Sequence, residues 1–165
     1  MVSAYGFADL TTPGTEPAPA LPAGLQVGAD LHPLLQRMWR RSPAFRRQCA
    51  QLDEAQVTIS VHVGLPWPAT PAHAVSRIEI RAGTAHRAAV YLETTGWRRP
   101  ELLAHEIEHV LEQIDGVNLR SLAVSGVRGV RQNGDAYETS RAVAIGRLVA
   151  REVSSYGDET KGRER

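Results

Sequence analysis

A chain of 165 residues with 42% hydrophobic and 22% charged residues holds enough apolar material for one buried core and too little length for two ordinary domains. Its formal net charge of +1 creates no global field for nucleic acid or an anionic membrane. Cys49 is the only cysteine, which excludes an internal disulfide and a thiolate metal site, and no run approaches the ~18 apolar residues of a membrane-spanning helix.

The first ten residues, MVSAYGFADL, lack the basic start and sustained apolar stretch of a signal peptide, so a cytoplasmic location is the expectation. Residues 11–29 are rich in Pro, Ala and Gly without apolar periodicity. Residues 1–29 therefore read as a flexible leader, with a pro-segment covering the functional site as the sharper version.

From Asp30, a candidate N-cap, the sequence LHPLLQRMWRR has helical spacing. Ser42-Pro43 is a second start signal, for AFRRQCAQL. The pair predicts a helical hairpin whose Leu34, Leu35, Met38, Trp39 and Phe45 face inward, leaving Arg37, Arg40, Arg41, Arg46 and Arg47 as a solvated face. Arg46 and Arg47 could activate the Cys49 thiol, but an inert helical cysteine is the preferred reading.

Three strands follow. Val57–Val63 alternates apolar and polar residues and puts His62 on its polar side. After the proline-rich GLPWPATPAH come Ser76–Ala82 and Arg87–Thr94, joined by a short connection that suggests a hairpin. His73 and His86 read as loop histidines with no metal role.

Pro100 opens a helix through ELLAHEIEHVLEQID that stops at Gly116. Leu103, Ile107, Val110, Leu111 and Ile114 recur at helical spacing along it. A Gly- and Arg-rich connection leads to a last helix from about Ala136 to Val153, and residues 154–165 form a polar tail.

Chemistry concentrates in His105-Glu106-Ile107-Glu108-His109. Residues four apart on a helix are rotated by ~40° and separated by ~6 Å along its axis, so both imidazoles can converge on one ion. The carboxylate after the first histidine then flanks that face, placed to act on water rather than to ligate. A catalytic zinc site takes a third protein ligand. No histidine follows His109, while Glu112 and Asp115 lie too far along the axis from His105. Asp135 and Glu138 remain. Glu138 is preferred because Ala142, Ile145 and Val149 share its helical face and should pack inward. Asp135-x-x-Glu138 also fits a capping box, in which Glu138 would only cap its own helix.

HEIEH followed after 28 residues by Glu138 within YETSRA resembles the gluzincins, zincin metallopeptidases with a glutamate ligand on the next helix, and especially their minimal members. The resemblance spans Val57 to Glu152. It implies one zinc ion per chain held by His105, His109 and Glu138, with Glu106 as general base. It also implies a peptide or protein substrate extended along an edge strand, here Ser76–Ala82, with Arg87–Thr94 inside it. Two features depart from the pattern. Ala142 stands where several relatives carry an acidic residue that orients a histidine, and no downstream histidine is present for the oxyanion, leaving Tyr137, Arg141 or Tyr156.

The expectation is an α+β domain over residues 30–153. A three-stranded mixed or antiparallel sheet packs on helices, with zinc between the two C-terminal ones. Two rivals from other classes are a catalytically inactive module that keeps the metal as a structural or regulatory staple, and a nucleic-acid-associated protein using the arginines of residues 37–47 and 128–151. The near-zero net charge favours neither nucleic acid nor membrane as a partner.

Overall fold

The computed structural model describes residues 21–65, 74–80, 86–93, 98–126, 129–133 and 136–155. In chain order these form β1 (Leu25–Val27), a single 3₁₀ turn (Ala29–Leu31), α1 (His32–Arg41), α2 (Pro43–Glu54), β2 (Val57–Val63), β3 (Ala74–Ile80) and β4 (His86–Leu92). Next come α3 (Arg99–Ile114), α4 (Leu119–Val124), β5 (Val130–Asn133), β6 (Ala136–Thr139) and α5 (Ser140–Ser155). The class is α+β, as expected, but the main sheet has four strands in the order β1-β2-β4-β3. β1, β2 and β4 run parallel, and β3 is antiparallel to β4, which completes the expected hairpin with β3 on the edge.

The fourth strand corrects the leader reading. Leu25 is buried, and Leu25–Val27 pairs with Ile59–Val61 of β2, so residues 25–29 belong to the domain rather than to a flexible segment. Three residues are too few to show a period amid Pro and Gly, and only the waiting edge of β2 makes them a strand. Residues 1–20 lie outside the described residues, as do His73, Asp135, Tyr156 and the tail from residue 156. His86 begins β4 rather than sitting in a loop.

Register explains which sheet face is buried. Ile59 pairs with Ala88 and Val61 with Val90, all buried on the helical side. The alternate residues Ser60, His62 and Tyr91 face the other way, and the His62 and Tyr91 rings stack at 5.1 Å. His62 is therefore a surface histidine, as its alternation suggested.

Ser42 ends α1 and opens α2. Its Oγ accepts from the Phe45 amide at 3.0 Å and donates to Glu152 of α5, whose carboxylate also accepts from the Ala44 amide at 3.1 Å. An orphan helix start is thus satisfied partly across the fold. Asp30 caps nothing: α1 starts from Leu31, which provides no side-chain cap. Of the basic face, Arg37, Arg40 and Arg47 are exposed, whereas Arg41 and Arg46 donate to the main-chain carbonyls of Val153 and Trp39.

α3 lies at the centre, packed by the sheet on one side and by α2 and α5 on others. Leu102 through Ala104, and Glu106 through Glu112, are all buried. It ends at Gly116 with φ +78°, where the Gly116 amide donates to Gln113 and the Val117 amide to Glu112, a left-handed cap that glycine adopts without steric cost.

Candidate metal centre

A helix buried all round must find a partner for every charge it carries inward. Three glutamates of α3 are buried: Glu106 at 7%, Glu108 at 5% and Glu112 at 3% exposure. Glu108 accepts from Gln48 of α2 at 2.7 Å and from Arg141 of α5, which also reaches Asp115 at 3.0 Å. Glu112 accepts from Thr139 Oγ1 at 2.8 Å and faces His109 Nδ1 at 3.0 Å. Glu106 alone of the three makes no hydrogen bond among the described residues.

The histidines converge as the helical spacing requires. His105 Nε2 and His109 Nε2 lie 3.1 Å apart with their rings edge to face, and His105 Nε2 is 3.3 Å from Glu138 Oε1. All three donor atoms fall within 4.8 Å of one another, a group that could hold a metal ion. Donor atoms around one tetrahedral zinc ion with bonds of ~2.0–2.1 Å lie ~3.3 Å apart, so the spacing suits a single small cation. Glu138 Oε1 is buried without a hydrogen-bond partner, an arrangement costly for a carboxylate unless a cation sits beside it.

Glu138 reaches this position by a different route from the one expected. It stands on β6, not on the last helix, which starts only at Ser140. The cap of α5 is Thr139, whose Oγ1 accepts from the Ala142 amide at 3.0 Å, so Glu138 is not the partner of a capping box. The centre therefore lies between α3 and the β5–β6 hairpin rather than between two helices. The inward stripe holds nonetheless: Ala142 and Val149 are buried, and Ile145 packs against the core.

His109 has its orienting carboxylate after all, supplied by Glu112 from one turn along α3 instead of from position 142. With Nδ1–H donated to Glu112, the Nε2 lone pair points toward His105 and Glu138. Burial opposes the charged form of His109, but the Glu112 hydrogen bond and the charges of Glu106, Glu112 and Glu138 outweigh it and raise its pKa. Burial likewise opposes ionised Glu112, yet hydrogen bonds from His109 and Thr139 hold its pKa below the usual carboxylate value. The i,i+3 spacing of Glu112 from His109 is the sequence signal for this supporting role.

Of the residues expected for the oxyanion, Arg141 and Tyr137 lie among the described residues. Arg141 is engaged by Glu108 and Asp115, with its pKa raised by those partners against its own desolvation, whereas Tyr137 is half-buried on β6 beside Glu138. Among the described residues no helix is long and apolar enough to cross a membrane. Comparison with known proteins adds no family: the chain matches no protein-family model, and neither the curated proteins nor the solved structures give a significant match.

Proposed function

We propose that the chain is a zinc-dependent hydrolase of peptide bonds, of the gluzincin type. His105 Nε2, His109 Nε2 and a Glu138 oxygen would hold the zinc, and Glu106 would serve as general base. The observation that carries the reading is the contrast among the α3 glutamates. Glu108 and Glu112 are each tied by two partners, while Glu106, next to a candidate ligand and close enough for its charge to act on His109, is tied by none. A buried carboxylate without a structural partner, beside a cation site, is what proton transfer at that site needs.

Zinc at such a site supplies Lewis acidity, polarising a carbonyl oxygen and acidifying water. The Glu106 carboxylate takes the proton of the attacking water and gives it to the departing amine. Glu112 keeps His109 in the tautomer that presents Nε2. β3 lies on the sheet edge and packs beside α3, so an extended peptide added to that edge would run alongside the helix bearing both histidines.

The test uses purified protein dialysed against zinc and a quenched-fluorescent peptide library. Wild type is expected to hold about one zinc per chain by elemental analysis, lost in His105→Ala and Glu138→Ala. Glu106→Gln should keep the metal and cleave ~10²–10⁴-fold more slowly, the range general-base removal costs. Undiminished cleavage by Glu106→Gln would overturn the mechanism, and absence of zinc from wild type would overturn the site.

A further inference from the structure

Outside the three donor atoms, Glu138 also lines a groove of about 460 Å³ between the β5–β6 hairpin and the first turns of α5. Gly129, Val143 and Ala144 supply its small apolar lining, and Thr139 and Ser140 its polar one. Arg131 and Arg147 complete it, both exposed. Ser140, Val143, Ala144 and Arg147 follow one another at helical spacing, so the groove runs along a single face of α5.

Two facts make its charge unusual. Arg131 is the cross-strand partner of Glu138, which puts both side chains on the same side of the hairpin with Cβ atoms ~5 Å apart. Yet Arg131 forms no ion pair with Glu138, and among the described residues Arg147 has no acidic partner either. Arg141, six residues earlier on α5, shows the contrast, since both of its acidic partners are within hydrogen-bonding distance. Once a metal ion takes the charge of Glu138, the groove carries two guanidinium groups and no anion.

We infer that this groove is a carboxylate-binding subsite, in which Arg131 and Arg147 clasp an acidic group of a peptide whose adjacent segment reaches the metal centre. Guanidinium groups suit the fork geometry of a carboxylate, and the small residues Gly129 and Ala144 leave room for it. The carboxylate could belong to an acidic side chain or to a peptide C-terminus. The inference rests on the peptidase reading for its biological meaning, but binding alone tests it.

The experiment is an amide-resonance titration of the zinc-loaded full chain with three probes: acetyl-dialanine with a free C-terminus, its C-terminal amide, and acetyl-glutamate amide. Saturable shifts at Gly129, Ser140 and Ala144 are expected with the acids and not with the neutral amide. The first acid reports a C-terminus and the second a side chain; binding of either one supports the subsite. Arg131→Gln and Arg147→Gln should each weaken the acids about five-fold or more, whereas Arg151→Gln, exposed farther along α5, should not. Equal binding of acid and amide, or acid binding insensitive to both groove substitutions, would overturn the inference; the latter places the carboxylate on the metal. Binding that meets these terms in a protein that cleaves no peptide would leave the subsite standing and remove the peptidase reading.

Discussion

Three residues apart on α3, His109 and Glu112 form a buried pair that fixes which nitrogen faces the metal donors. Replacing Glu112 by Gln keeps the shape but leaves a weaker, neutral acceptor for Nδ1–H. Zinc affinity should fall ~10–100-fold, read by competition with a chromophoric chelator, while the fold persists. Cys49 gives a second prediction at this scale. Burial, then the charge of Asp53 one turn on, push its thiol from 9.0 up to about 12, against a small opposing effect of its own backbone hydrogen bond. Between those values the unfolded chain has released a proton that the folded chain keeps. Stability should therefore be unaffected below pH 9.0 and fall as pH rises beyond it, by up to ~1.4 kcal/mol per pH unit. Urea titrations of wild type and Cys49→Ala across that range should diverge in this sense; parallel curves would show that the thiol ionises in place. Arg46 and Arg47 do not activate it, because Arg46 is turned to the Trp39 carbonyl and Arg47 to solvent.

At the scale of elements, α5 packs directly against the stretch of α3 that carries His105. Gly146 of α5 sits against α3 so closely that a Cβ there would lie 2.8 Å from the Glu101 carbonyl oxygen and 3.2 Å from His105 Cβ. Backbone cannot move aside as a flexible side chain does. Gly146→Val should cost about 1–3 kcal/mol in urea denaturation by overpacking, and should weaken zinc binding because the added side chain also crowds His105, a candidate ligand. Zinc affinity unchanged at that stability loss would show that His105 is positioned independently of α5. Among the described residues β5 and β6 pair only with each other as strands, and α5 is anchored far away by Glu152 at the start of α2. Thr139 joins the two regions, capping α5 and donating to Glu112, so one hydroxyl ties β6, which carries Glu138, to α3, which carries both histidines.

At the scale of the molecule, the candidate donors come from α3 and, 29 residues after His109, from β6, and exist as a set only in the folded chain, so a metal that binds them must favour folding. With zinc at ~1,000 times its dissociation constant the gain is ~4 kcal/mol, which for a chain of this size raises the melting temperature by about 8–16 °C. Calorimetry should show the rise, its reversal by a chelator and its absence in His105→Ala. Much of this arrangement was legible beforehand. The pairing of His105 with His109, the position of Glu106, the limits of β2, the Ser42 start and the Gly116 stop all follow from local rules of spacing, capping and backbone freedom. Glu138 was also legible as a candidate donor, although the helical face that singled it out is not where it stands, since it lies on β6. Four residues with a Gly-rich approach carry no periodicity, and β6 is a strand only because β5 returns to pair with it. The same holds for β1 on the edge of β2. The motif singled out Glu106, but the sequence could not show which of the three buried α3 glutamates would be held by hydrogen bonds. All are buried carboxylates within two turns, and what separates Glu106 from Glu108 and Glu112 is chiefly which of them meets Gln48, Arg141 or Thr139 across the core. Local spacing determined the ligand face; long-range packing decided which charges were left free to use it.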